Sequence, residues 1–318
     1  MRFAKGHGTG NDFLILPDPD GALALSPELA ARLCDRRTGL GADGVLRAVR
    51  TAGGRVPSGG EQVPATGTAA AKWFMDYRNA DGSIAEMCGN GARVFARYLL
   101  THGLADGPTF AVATRAGTRQ VWAEASGEIT VDMGAPVVLG RGGAVVGGTE
   151  CEGLAVSLGN PHLACVVDVP VAEFDLSAPP LVDHGQFPEG VNVEVVQVIG
   201  DRHLEMRVYE RGSGATQSCG TGAVAAAVAA ASVSIAPAGA GSVSTASAGS
   251  ASPSAGAAGN GQAGLVGTWT VQVPGGRLVV ALSEATSLLT GPAVIVAEGE
   301  LSEAWLSGPA VGSLSGTA

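Results

Sequence analysis

At 318 residues the chain is long enough for two ordinary domains with separate cores, and an apolar fraction of 46% fits a globular protein. Its net charge of −10, with 19 basic against 29 acidic residues and no Lys/Arg cluster, argues against a phosphate-backbone partner, so no nucleic acid is expected. There is no run of 18 apolar residues and no charged-then-apolar leader in "MRFAKGHGTG", so no membrane partner and no secretory signal are expected, and the reading is cytoplasmic.

Five cysteines, Cys34, Cys88, Cys151, Cys165 and Cys219, form an odd set without a C-x-x-C pair. A disulfide framework or a zinc ribbon explains them poorly, and free thiols fit better. Only Lys5 and Lys72 carry an ε-amine, which leaves few anchors for a Schiff-base cofactor.

In chain order, "SPELAARLCDRR" (26 to 37) has a Ser N-cap, a Pro at the first helical position and apolar spacing, and predicts a helix. The turn after it holds Gly39, Gly41 and Gly44 in G-x-G-x-x-G spacing, but a dinucleotide fingerprint needs a strand before it and a helix after it. Here a helix precedes. The glycine-rich span 51 to 70 reads as a flexible surface insertion. "EITVDM", "VNVEVVQV", "HLEMRVYE", "TWTVQV", "RLVVAL" and "AVIVAE" read as strands, joined too closely for crossover helices. The fold class is therefore α/β in composition, with mostly antiparallel or mixed sheet and no doubly wound parallel core. Residues 232 to 264 are almost wholly Ala, Gly, Ser and Pro and have too little apolar bulk to offset their ordering entropy, so a disordered linker is expected there, with a similar tail over 303 to 318.

An internal repeat carries most of the information. "IAEMCGNGARVFARYL" and "TQSCGTGAVAAAV" share Cys-Gly-x-Gly-Ala before a helical run, and each cysteine follows a methionine, Met75 or Met206, by 13 positions. A Gly-Asn pair recurs upstream of each, as Gly10-Asn11 and Gly159-Asn160. Two halves with one plan are the simplest account. Packed about a pseudo-twofold axis, their helix starts would face a shared cleft, one thiol from each side. A helix N-terminus carries about half a positive charge and unpaired N–H groups, so it should favour thiolate and lower a cysteine pKa toward about 3.5 to 7.5. The glycines let a substrate carboxylate approach the same N–H groups. Two such units could take a proton from one face of a carbon and deliver another to the opposite face.

"GHGTGNDF", "DYRNADGSIAEMCGNGARVFARYL", "GNPH", "FPEGVNVE" and "MRVYERGSGATQSCGTGA", with "TGPAVIVAEGEL" near the end, together resemble the diaminopimelate epimerase family. The resemblance implies a pyridoxal-independent isomerase that interconverts LL- and meso-diaminopimelate in lysine and peptidoglycan precursor synthesis. It needs no cofactor and no metal, and its partner is a small-molecule substrate. It implies two similar domains, each a curled sheet around a central helix: residues 1–130 with a returning strand at 289–302, and residues 131–288. A homodimer is left open. Cys88 and Cys219 would be the acid/base pair, assisted by His162 and Glu210. By matched position Asn11, Asn79, Asn160, Asn192, Glu210 and Arg211 would contact substrate, with backbone N–H groups of Gly89, Asn90, Gly220 and Thr221. The sequence departs from the family pattern at Gly44, where many members carry glutamine, and at Ala215, where an acidic residue is common.

Other readings stand beside this one. Cys34, Cys151 and Cys165 suit buried small hydrophobes; His7, His102, His184 and His203 suit surfaces or turns; Asn79 before "ADG" suits a plain turn. A thiol hydrolase using one cysteine with His162 leaves the second Cys-Gly-x-Gly unexplained. A Cys/Cys/His zinc site, a related cofactor-independent amino-acid racemase and a non-catalytic anion-binding member of the fold are the remaining alternatives.

Overall fold

The computed structural model of the chain describes residues 1–51, 71–235 and 265–308. The expected insertion at 51–70, all but its first residue, and the linker beyond residue 235 lie outside the described residues, as does the tail beyond residue 308. Helix α1 spans Pro27–Cys34, α2 Gly89–Thr101, α3 Gly220–Ile235 and α4 Glu303–Leu306.

The described strands form one mixed sheet of two repeated units. In the first, Arg2–Gly8 runs antiparallel to Asn11–Pro17, which is parallel to Gly44–Arg50. Next come Trp73–Asn79 (antiparallel), Thr109–Thr114 (parallel), Gly117–Ala123 and Ile129–Gly134 (both antiparallel). The second unit repeats this order, from Thr149–Ser157 through Pro161–Val167, Asn192–Gly200, His203–Glu210, Gly267–Val273 and Gly276–Leu282 to Ser287–Gly291. Its pairings are likewise antiparallel, parallel, antiparallel, parallel, antiparallel and antiparallel.

The closing strands of the two units pair with each other, Leu289 opposite Val131. Each unit then gains a strand from the chain that follows the other's closing strand: Val294–Glu300 lies on Arg2–Gly8, and Val137–Val146 lies on Thr149–Ser157. This is the pseudo-twofold arrangement that the repeat predicts. The parallel pairs correct one detail, because α1, α2 and the connection that begins with α3 are crossovers between parallel neighbours.

Each unit curls around its own helix. Helix α3 is buried all round from Gly220 to Ala231, which its Ala and Val content permits, since small side chains let the surrounding strands approach. Helix α2 buries ten residues, among them Arg93, whose guanidinium donates to neutral oxygens of Asn90, Gly89 and Thr9. Helix α1 starts where the sequence places it, with the Leu29 N–H donating to Ser26 Oγ (3.2 Å). It ends at Cys34 and not at residue 37, because the Asp35 carboxylate accepts from the backbone N–H groups of Arg37 and Thr38 and turns the chain. The tail also begins with order: Trp305 of α4 lies 4.6 Å from the Arg32 guanidinium and donates its indole N–H to the Thr38 carbonyl. His7 and His203 lie within strands, not turns.

Beneath the first unit, Asp76 is fully buried and accepts from Arg47 (2.9 Å), Arg78 (3.0 Å) and Arg115 (2.7 Å). Burial alone would raise its carboxyl, but the three guanidinium groups hold it below the usual carboxylate range. A lowered carboxyl stabilises the fold above the unfolded-state pKa of about 3.9, and that contribution is lost as pH falls through the folded value.

Candidate active site

Each cysteine sits at the residue before its helix. The Cys88 backbone is extended (φ −137°, ψ 124°), its carbonyl accepts from Ala92 N–H, and its sulfur accepts the N–H of Gly91 at 3.4 Å. Cys219 repeats this pattern, its carbonyl accepting from Ala223 and its sulfur from Gly222 N–H, again at 3.4 Å. Both thiols therefore replace the usual oxygen of a helix N-cap.

The two helix starts abut. A Cβ built on Gly220 would lie 3.1 Å from Gly89 Cα and 2.9 Å from Leu289 Cδ2, and one built on Gly89 would meet the same Leu289 methyl at 2.9 Å. Glycine at 220 is what lets the helix ends meet, and glycine at 89 leaves room for Leu289 and Met133 beneath them. Polar side chains lock the contact: Asn90 Nδ2 donates to the Ser218 carbonyl (3.0 Å), and Thr9 Oγ1 donates to Ser218 Oγ (2.7 Å). Arg93, fully buried, donates to Asn90 Oδ1 (2.8 Å) and to the Gly89 carbonyl (3.2 Å). It leaves a fixed cation behind the start of α2.

Around the sulfurs the two halves place polar side chains from equivalent positions, Asn11 and Asn90 in one and Asn160 and Thr221 in the other. Asn11 Oδ1 lies 3.8 Å from Cys88 Sγ and accepts from Asn90 Nδ2 (3.3 Å). Across the pseudo-axis, Thr221 Oγ1 lies 3.5 Å from Cys219 Sγ and pairs with Asn160 Nδ2 (3.4 Å). Glu210 accepts from Thr216 and stands by Cys219. Its charge also pushes the Cys88 thiol up, as it does that of Cys219, so one carboxylate acts on both sulfurs. His162, fully buried, places Nδ1 2.7 Å from Glu194 Oε1.

Two predicted contacts are engaged elsewhere. Asn79 Nδ2 donates to Ser83 Oγ (3.0 Å) within its own turn, as the plain reading of "ADG" expects. Arg211 is exposed and its guanidinium donates to the Glu189 carbonyl (3.0 Å). Asn192 is structural as well as polar, donating to the Pro161 carbonyl (3.0 Å) and accepting from Arg211 N–H (2.9 Å). The departures at Gly44 and Ala215 differ in weight. Ala215 is exposed, whereas a Cβ on Gly44 would lie 2.7 Å from the Tyr77 ring.

The expected sign of the thiol pKa shift is overturned. Burial of the sulfur pushes Cys88 up to about 11, despite the N–H of Gly91 pulling the other way, and burial, Glu210 and Glu194 push Cys219 well above its ordinary value. The helix-end field is present but is smaller than the cost of an anion in a dry, acid-lined site. Alkylation of Cys88 by iodoacetamide, followed by peptide mapping, should therefore climb about tenfold per pH unit from pH 7 toward pH 10, because only thiolate reacts; a plateau below pH 8 would restore the helix-end expectation. Burial also pushes Cys34 and Cys165 up to about 12, in keeping with inert core thiols.

Glu194 was not among the expected residues. Alternation along "VNVEVVQV" could have found it, since it shares a strand face with Asn192. His162, Glu194 and Cys219 each present one donor atom within 4.8 Å of the others, enough to consider a metal. The Nδ1 to Oε1 contact ties the imidazole directly to the carboxylate.

A family model described as diaminopimelate epimerase matches residues 3–139 and 154–245. A diaminopimelate epimerase of Thermobifida fusca is 53% identical over 301 residues, covering 95% of this chain and 98% of its own. One from Mycolicibacterium smegmatis is 48% identical over 314 residues, covering 96% and 98%. Among solved structures, a Bacillus anthracis protein of the PhzF family superposes with TM-score 0.63 at 15% identity, covering 95% of this chain and 98% of its own. A hydroxyproline epimerase from Agrobacterium vitis gives TM-score 0.57 at 12% identity, covering 94% and 91%. These two share the fold.

Proposed function

The chain belongs to the diaminopimelate epimerase family, and from that premise we propose that its epimerisation of diaminopimelate runs on two thiols, Cys88 and Cys219, acting on opposite faces of one α-carbon. The observation that carries this reading is the meeting of two Cys-Gly-x-Gly helix starts, so close that a Cβ on Gly220 would lie 3.1 Å from Gly89 Cα.

In the proposed cycle one sulfur is a thiolate and the other a thiol. The thiolate takes the α-proton, and the C–H electron pair passes to carbon and is drawn into the α-carboxylate. The opposite S–H then protonates the other face, so the centre is inverted and the two sulfurs have exchanged charge states. Backbone N–H groups of Gly89, Asn90, Gly220 and Thr221 would hold the carboxylate as charge builds on it. A substrate ammonium beside the sulfurs favours thiolate and offsets the rise that burial causes. Asn11, Asn79, Asn160, Asn192 and Arg211 would bind the two amino-acid ends, with Asn79 and Arg211 turning inward from their present partners. Glu210, close to both thiols, and His162 would assist proton movement.

This chemistry calls for no pyridoxal anchor. Lys5 is held by the Leu40 and Gly41 carbonyls and by Asp12 (3.1 Å), and Lys72 is exposed beside Asp106. The enzyme is proposed to work in the cytoplasm. Incubated with LL-diaminopimelate in D₂O after full reduction, the protein should form the meso isomer with deuterium at one α-carbon. Absence of both inversion and exchange would reject the reading.

A further inference from the structure

The two thiols are matched in backbone and unmatched in what lies beneath them. Strand Asn11–Pro17 pairs in parallel with Gly44–Arg50, setting Phe13 opposite Gly44 and Ile15 opposite Leu46. In the second unit Pro161–Val167 pairs in parallel with Asn192–Gly200, setting His162 opposite Asn192 and Ala164 opposite Glu194. Since Asn11 corresponds to Asn160, Phe13 corresponds to His162 and Leu46 to Glu194. The glycines three residues past each cysteine read out the same equivalence. A Cβ on Gly91 would touch Leu46 Cδ2 (3.3 Å) and Phe13 Cε1 (3.5 Å), whereas one on Gly222 would strike Glu194 Oε1 (2.6 Å). An apolar pair supports Cys88, and a buried acid–imidazole pair supports Cys219. The residue five past Cys88 is the buried Arg93, whereas the residue five past Cys219 is the buried Val224. One thiol has a fixed cation at its back, the other a group that can accept a proton.

His162 and Glu194 are both fully buried, and His162 Nε2 and Glu194 Oε2 have no hydrogen-bond partner among the described residues. We infer that Glu194 is a positioning residue for Cys219: its carboxylate holds His162 with the proton on Nδ1 and the Nε2 lone pair free, giving Cys219 a proton acceptor that Cys88 lacks. The inference rests on Cys219 being one of the two acid/base thiols. In the step, the Cys219 S–H bond breaks, its electron pair stays on sulfur and the proton passes to Nε2. The imidazolium so formed faces the Glu194 carboxylate, and the net charge of the trio is unchanged. An ion pair formed this way inside the site avoids placing a lone thiolate in a dry cavity. The other titratable groups on which Glu194 acts are Glu210, on the neighbouring strand, and the core thiol Cys165.

The test uses the full-length reduced enzyme and four variants: Glu194→Gln, Glu194→Leu, His162→Phe, and the pair His162→Phe with Glu194→Leu, which copies Phe13 and Leu46. The amide of Glu194→Gln is nearly isosteric but can donate to Nδ1, which moves the ring proton to Nε2. It should lower kcat about 10- to 100-fold, the size common for outer-shell orienting groups, with KM within about twofold. In the His162→Phe background, removing the carboxylate should cost no more than about twofold further, because Glu194 acts through the ring. Modification by methyl methanethiosulfonate, mapped by peptide, should slow about tenfold at Cys219 in Glu194→Gln and change less than twofold at Cys88. A wild-type kcat in Glu194→Gln, multiplying losses in the pair, or equal slowing at both cysteines would overturn the inference. Should Glu194→Leu fail to fold, Glu194→Gln and the apolar pair still decide it. The modification rates need no turnover, so failure of the two-thiol reading, seen as activity surviving Cys219→Ala, stays separate from failure of this one.

Discussion

Replacing either Cys88 or Cys219 with serine is expected to lower the epimerisation rate by about 10² to 10⁴, the usual worth of a general acid or base, while leaving the fold intact. Serine is the informative choice because the cysteine has two duties. Its sulfur caps a helix, accepting Gly91 or Gly222 N–H, and a serine oxygen does that at least as well. A hydroxyl ionises far less readily than a thiol, so the chemistry is lost and the cap is kept. Alanine at Cys88 removes both, and its thermal unfolding midpoint should fall where that of serine does not, by the roughly 1 kcal/mol that a lost N-cap costs. The two serine variants combined should be little worse than either alone, since residues that act as one unit are not additive. Circular dichroism and steady-state rates in both directions check this. A rate within about tenfold of wild type for either serine variant would remove that sulfur from the reaction.

Asp76→Ala is expected to cause the largest loss of stability, about 3–5 kcal/mol, the cost of removing one partner from a buried charge cluster. Arg47, Arg78 and Arg115 converge on this one carboxylate, and Arg47 is itself buried. The thermal midpoint should drop by about 10 °C at neutral pH, using 2–4 °C per kcal/mol for a chain of this size. Wild type and variant should begin to approach each other as pH falls below the unfolded-state value of about 3.9, and should meet only below the lowered value of the folded Asp76 carboxyl. Activity should suffer as well. Asp76 immediately precedes Tyr77, whose ring stacks edge-on to Phe13 at 6.0 Å and covers Gly44, and Arg78 bridges to Ile84 on the way to Cys88. A midpoint shift below about 2 °C would show that the three arginines find other partners.

Much of this was legible in the chain. The 13-residue spacing from Met75 to Cys88 and from Met206 to Cys219 reflects two equivalent strands leading to two equivalent helix starts, and the six alternating segments are all strands. Periodicity served well there because one face of each strand is packed on a helix. It missed short or glycine-rich strands such as Gly214–Thr216 and Val137–Val146, where alternation is absent. The direction of the thiol pKa shift is not legible in the chain, because the field of a helix end can be read from Cys-Gly-x-Gly, whereas the burial that opposes it depends on residues brought from far along the chain. Glu210 lies near both sulfurs only through the folding of two units together. Glu194 and Arg93 were hidden for the same reason: each looks like one charge among many until the fold places it in a dry interior.

The central claim, that two sulfurs from two halves flank one α-carbon, is tested most directly by the isotope content of substrate and product during the first few per cent of turnover in D₂O. With two bases, the newly formed epimer should carry solvent deuterium at the inverted carbon while recovered substrate keeps its original hydrogen. A single base serving both faces would return substrate-derived hydrogen to the product or place deuterium equally in both pools, and that result would contradict the account.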